Sequence, residues 1–179
     1  MATTTKSTKQ SRPVPRQLAT PSDIKPEERA AICEAVNRLV ADSYTLYVKT
    51  KNFHWHVASS HFRDYHLLFD EQADAIFESI DVLAERVRRI GGTTIRSISQ
   101  ISELQTIADD NDEFVLPEEM VLRLIADNRH MAESQRAAID LCEENRDTPT
   151  ANILQDLLDQ TEKRIWFLHS VSQGGHNME

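Results

Sequence analysis

The 179-residue sequence contains four glycines, six prolines and two cysteines, and each scarcity removes a class of structure. So few helix breakers leave room for long helices. No stretch alternates apolar and polar residues with the period of a strand, so nothing competes with an all-α fold. Cys33 and Cys142 fit neither a CxxC pair nor a disulfide-rich framework and are expected as reduced thiols inside helices. No apolar run approaches the ~20 residues that span a bilayer, and no apolar core of the signal-peptide kind stands near Met1. A cytoplasmic location is therefore expected.

What is present is helical periodicity. Residues 1–25, rich in Thr, Ser, Lys, Arg and Pro with little apolar content, are expected to form a disordered basic arm. Helix one is predicted from Pro26, with Glu27 and Glu28 in its first turn and a stripe of Ile32, Val36, Leu39, Val40, Leu46, Tyr47, Phe53 and Val57. Helix two is predicted from about Ser60 to Ile90, where Gly91 and Gly92 stop it. A long connection from Thr93 to Leu116 holds one short amphipathic stretch marked by Ile98, Ile101, Leu104 and Ile107. Helix three starts at Pro117, with Val121, Leu124, Ile125, Met131, Ala138 and Ile139 inward. Helix four starts near Pro149, with Ile153, Leu154, Leu157, Leu158, Ile165 and Leu168 inward. The expected architecture is one four-helix bundle over residues 26–172, with a short extra helix in the crossover between helices two and three and a flexible tail at 173–179.

The chemistry concentrates between His54 and Gly92, in HWHVASSHFRDYHLLFDEQADAIFESIDVLAERVRRIGG. On a helix, His66 and Asp70 stand one turn apart, as do Asp81 and Glu85. Asp70 and Asp81 are eleven residues apart, about 1100° of turn, which sets both pairs along one stripe but roughly 16 Å apart along the axis. No single metal ion could be reached by both. The spacing is nonetheless symmetric about a point between residues 75 and 76, from which His66 and Glu85 are equally distant, as are Asp70 and Asp81. Two antiparallel copies related by a two-fold axis there would bring His66 against the partner's Glu85 and Asp70 against the partner's Asp81. Ala73 and Phe77, on the stripe between the pairs, are expected to let the two backbones approach. His54, twelve residues before His66 and beyond the Ser59-Ser60 break, can enter the same site. Two imidazoles with two or three carboxylates suit non-haem iron, with zinc and manganese as competitors.

The runs NFHWHV, FRDYHLLFDE and IDVLAER followed by IGG resemble the ferroxidase-site signature of the Dps proteins, miniferritins that bind DNA in starved bacteria, over about residues 27–172. The resemblance implies a ferritin-like bundle whose iron ligands are His54, His66 and Asp70 of one subunit and Asp81 and Glu85 of its two-fold mate, with Trp55 also on the family pattern. It further implies a dodecameric hollow shell, oxidation of ferrous iron by hydrogen peroxide or dioxygen, and storage of ferric mineral inside. A ferritin with its site inside one bundle would carry Glu-x-x-His motifs. The nearest match here is Asp127-Asn128-Arg129-His130, which occurs once and is expected to be a surface or helix-contact group.

Charge divides the chain. Lys6, Lys9, Arg12, Arg16 and Lys25 against Asp23 give residues 1–25 a net of +4, leaving −13 for the rest of a chain whose total is −9. A basic arm neutralises DNA phosphates without reading bases, and several arms on one assembly act together, so non-specific DNA binding and a nucleoid association are expected. An acidic body suits a cation store. Asp147 and Asp156 are pore candidates, or else a cap and a surface charge. His56 and His61 are candidates for a second, weaker metal position, while His169 and His176 are expected as exposed polar groups. Two alternatives keep part of the pattern. One is a non-catalytic nucleoid-packing protein; the other is an oligomer stabilised by zinc in the same ligands.

Overall fold

The computed structural model describes residues 14–173. After a single 3-10 turn at Arg16–Leu18, five helices follow: α1 Pro26–His56, α2 Phe62–Arg89, α3 Ile98–Leu104, α4 Pro117–Glu144 and α5 Thr148–Ser172. The described residues contain no strand. Short links make α1 pack along α2 and α4 along α5, and α1 also lies against α3 and α4. The result is the expected four-helix bundle with α3 inside the long crossover.

Local chemistry sets the ends. Proline occupies the first turn of α1, α4 and α5, where its missing N–H costs nothing. Ser97 and Asp147 cap α3 and α5 by accepting from Gln100 N and Thr150 N. At the end of α2, Gly91 adopts φ 84°, Gly91 N donates to Arg88 O and Gly92 N to Val87 O. That bond pair is a Schellman stop. A Cβ on Gly92 would stand 2.3 Å from Cys33 Sγ, so the glycine also lets α1 approach.

The core runs the length of the bundle through Ile32, Leu39, Leu46 and Phe53 of α1, Phe69, Ile76 and Leu83 of α2, Met120 and Leu124 of α4, and Leu154 and Leu168 of α5. Burying each such side chain stabilises the fold by roughly 1.5–3 kcal/mol before entropy is counted. Asp42, buried in the middle of α1, moors the crossover: its carboxylate accepts from the Thr106 hydroxyl at 2.7 Å and from Ile107 N at 3.0 Å. His130 Nε2 lies 2.7 Å from that same hydroxyl oxygen. Since the hydroxyl proton already serves Asp42, His130 is the donor.

Several expectations need correction. Ile98 is exposed, so the amphipathic stretch of α3 buries Ile101 and leaves its first position in solvent. Ile153, Leu158 and Ile165 are half-buried rather than enclosed. Residues 14–25 fall in the segment expected as a disordered arm, yet they lie against the end of α2. There Arg88 Nη2 donates to Leu18 O at 2.8 Å and Thr20 Oγ1 to Arg88 O at 3.0 Å. The last carbonyls of a helix lack partners within it, and Thr20 supplies one. Of the basic residues expected to meet DNA, Arg16 is exposed in this docked segment and Lys25 pairs with Glu28 at 2.7 Å. Lys6, Lys9 and Arg12 lie outside the described residues, as does His176.

Candidate metal centre

His54 lies in the last turn of α1, while His66 and Asp70 occupy the second and third turns of α2. The tight link between the helices folds them onto one another, and the two imidazoles stack with centroids 3.7 Å apart. His54 Nδ1 lies 2.8 Å from His66 O, and His66 Nδ1 lies 2.9 Å from His54 O. A carbonyl only accepts, so each Nδ1 carries a proton and donates it. In the neutral rings the lone pair is therefore on Nε2 in both cases. This hydrogen-bonding pattern orients an imidazole for metal binding and fixes its tautomer.

Asp70 completes the cluster. Its Oδ1 lies 3.7 Å from His54 Nε2 and 2.5 Å from Lys51 Nζ. The hydrogen bond from Lys51 holds the Asp70 carboxyl below the ordinary carboxylate range, and the Lys51 ammonium is correspondingly raised. Lys51 was absent from the residues expected at this site. Its place three residues before His54, on the same face of α1, is the signal that would have found it. With Asp70 turned to Lys51, the described residues of one chain contain no group of three His, Cys, Asp or Glu side chains arranged to hold a metal ion.

Asp81 and Glu85 stand further along α2, both exposed, with Glu85 paired to Arg89 at 2.5 Å. The structure thus brings His54, His66 and Asp70 together and leaves Asp81 and Glu85 apart from them, as helical spacing requires. Ala73 departs from expectation. It is fully buried among the α2 residues that face the core, so it offers no surface to a second helix. The inward stripe of Phe69, Gln72, Ile76, Ile80 and Leu83 is wide enough to enclose a small neighbour. Phe77 is 53 % exposed and stands 5.0 Å from the Tyr47 ring. Leu67 and Val82 are exposed on the same helix, and Val48 and Trp55 on α1.

The other candidates have structural partners. Asp127 pairs with the buried Lys49 at 2.7 Å, and His130 meets Thr106, so both act in contacts between elements. Asp147 is a buried cap bound to Arg86 at 2.6 Å, and Asp156 is exposed. His56 Nδ1 bonds Asn52 O within its own helix, while His61 and His169 are exposed. Cys33 and Cys142 are buried and free, and burial pushes both thiols up, Cys142 to about 12.

A four-helix bundle with a long crossover and His54, His66 and Asp70 gathered at the α1–α2 junction is the frame of a ferritin-like protein. The family model for the ferritin-like domain matches residues 33–175. An uncharacterised low-temperature-induced protein of Nostoc sp. is 34 % identical over 149 residues, 83 % of each chain. The DNA protection during starvation protein of Brevibacillus brevis is 33 % identical over 135 residues, 75 % of this chain and 90 % of its own. The crystal structure of a Dps protein from Bacillus brevis superposes with a TM-score of 0.79 at 31 % identity, covering 82 % of this chain and 98 % of that one. The chain belongs to the Dps family.

Proposed function

We propose that this protein takes up ferrous iron at sites shared between two copies of the chain, oxidises it and stores the ferric product. His54, His66 and Asp70 of one subunit and Asp81 and Glu85 of its two-fold mate would form each site. The observation that carries this reading is the reciprocal histidine pair: both Nδ1 protons are held by main chain, which leaves two Nε2 lone pairs free, that of His54 3.7 Å from Asp70. Exposed Leu67, Phe77 and Val82 on the same helix support an apolar contact between copies. Family membership supports iron storage and DNA protection as the biological role, within a dodecameric shell.

The chemistry follows from the donor set. Neutral nitrogens accept ferrous iron, and hard carboxylate oxygens favour the ferric product. Two ferrous ions each give one electron to hydrogen peroxide, its O–O bond breaks, and two protons complete two waters. Pairing the electrons in this way releases no hydroxyl radical, which is how such a protein would shield DNA. Dioxygen would serve as a slower oxidant. The basic residues Lys6, Lys9, Arg12, Arg16 and Lys25 would hold DNA through its phosphates, with Lys25 available once its surface pair with Glu28 opens.

Anaerobic ferrous titration followed by a peroxide pulse tests the centre. Wild-type protein is expected to develop ferric absorbance in the near ultraviolet, and a His66→Ala, Asp81→Asn double variant to lose it. An undiminished rate in that variant would sink the proposal. Gel shifts across a salt series, with and without residues 1–25, test the arm: unchanged DNA binding on removal would exclude it.

A further inference from the structure

Two cations are buried among the described residues, and one of them is paired: Lys49 with Asp127. Arg164 of α5 is the exception. Its residue is 9 % exposed, yet no carboxylate acts on it among the described residues, and burial alone lowers its affinity for its proton. Neutral groups take part of the guanidinium: Nε donates to Asn128 Oδ1 at 2.9 Å and Nη2 to Thr161 Oγ1 at 2.8 Å. Nη1 has no hydrogen-bond partner among the described residues and is not fully enclosed.

Arg164 lines a cavity of about 370 Å3 between α2 and α5. Gln72, with a buried and unpartnered Oε1, lines it together with Leu68 and Phe167. Lys163, also in the lining, has its Nζ 5.8 Å from the Phe167 ring centroid and no acid partner among the described residues. Glu71, which is exposed, is the one acid lining the cavity among the described residues. A buried cation without a counter-charge is costly unless something supplies the charge. A guanidinium nitrogen with two free N–H groups, and an ammonium nearby, fit an oxyanion.

We propose that this cavity binds a small oxyanion, a phosphate or a low-molecular-weight carboxylate, on Arg164 Nη1 and Lys163 Nζ. The site is separate from the histidine half-site and involves no iron chemistry. It gives the protein a means of holding the anion that an acidic body otherwise repels.

Iron-free full-length protein is titrated calorimetrically with inorganic phosphate and, in parallel, acetate, both at constant ionic strength against chloride. Saturable binding near one ion per chain is expected, and the anion that binds identifies the source. Lys163→Ala should weaken it at least threefold. Gln72→Glu, which adds the missing acid inside the cavity, should abolish it while raising the melting temperature of anion-free protein. Arg164→Gln tests the donor directly where it folds; the other two variants decide the matter if it does not. No saturable binding of either anion, or binding indifferent to Gln72→Glu, would overturn the proposal.

Discussion

If Asp70 takes part in metal binding as proposed, Lys51 stands where the incoming cation would go. Its ammonium already neutralises Asp70, so metal uptake there would exchange one positive charge for another. Lys51→Met should therefore tighten ferrous binding, by roughly two- to fivefold given the modest worth of a part-exposed pair. Anaerobic titration reads this as a lower dissociation constant; a weaker one would mean that Lys51 holds Asp70 in place rather than opposing the metal. Cys142 supports a prediction about pH. Its thiol ionises near 12 when folded against an ordinary 9.0, so between those values the unfolded chain releases a proton that the folded chain keeps. The associated stability is whole below pH 9 and declines as pH rises toward 12. The melting-temperature advantage of wild type over Cys142→Ala should accordingly narrow between pH 8 and pH 10.5.

The helix ends separate what sequence discloses from what it hides. Gly91-Gly92 announced a stop, and the stop is there, but the need for Gly92 comes from Cys33, more than fifty positions earlier. Gly92→Ala should lower stability by roughly 1–3 kcal/mol through overpacking. The end of α4 uses the same bond pair, with Asp147 N on Cys142 O and Arg146 N on Glu143 O, around an arginine at φ 59°. Arg146→Gly should raise stability by roughly 0.5–1 kcal/mol, seen as a higher urea midpoint. Helix number, order and most inward positions follow from 3.6-residue periodicity, which is a local property. Asp42 gripping Thr106, Thr20 gripping Arg88 and Lys51 gripping Asp70 depend on tertiary proximity, and no spacing along the chain encodes them. Ala73 sits where the core stripe meets the ligand stripe, and only packing decides which side claims it.

A centre divided between two copies makes function a property of assembly. If each site takes one half from each subunit, a His66→Ala chain and an Asp81→Asn, Glu85→Gln chain are each inactive alone. A mixed pair places both lesions in one site and leaves the other intact. Co-refolding equal amounts should restore about a quarter of wild-type ferrous sites, because about half of randomly formed pairs are mixed. No recovery would argue for a site within one subunit. The stacked histidines carry a further consequence. Because each ring is tethered to the opposite helix's main chain, the mouth of the α1–α2 hairpin and the donor pair open as one event. On gradual heating, cargo should escape when that mouth parts, well before the bundle itself melts.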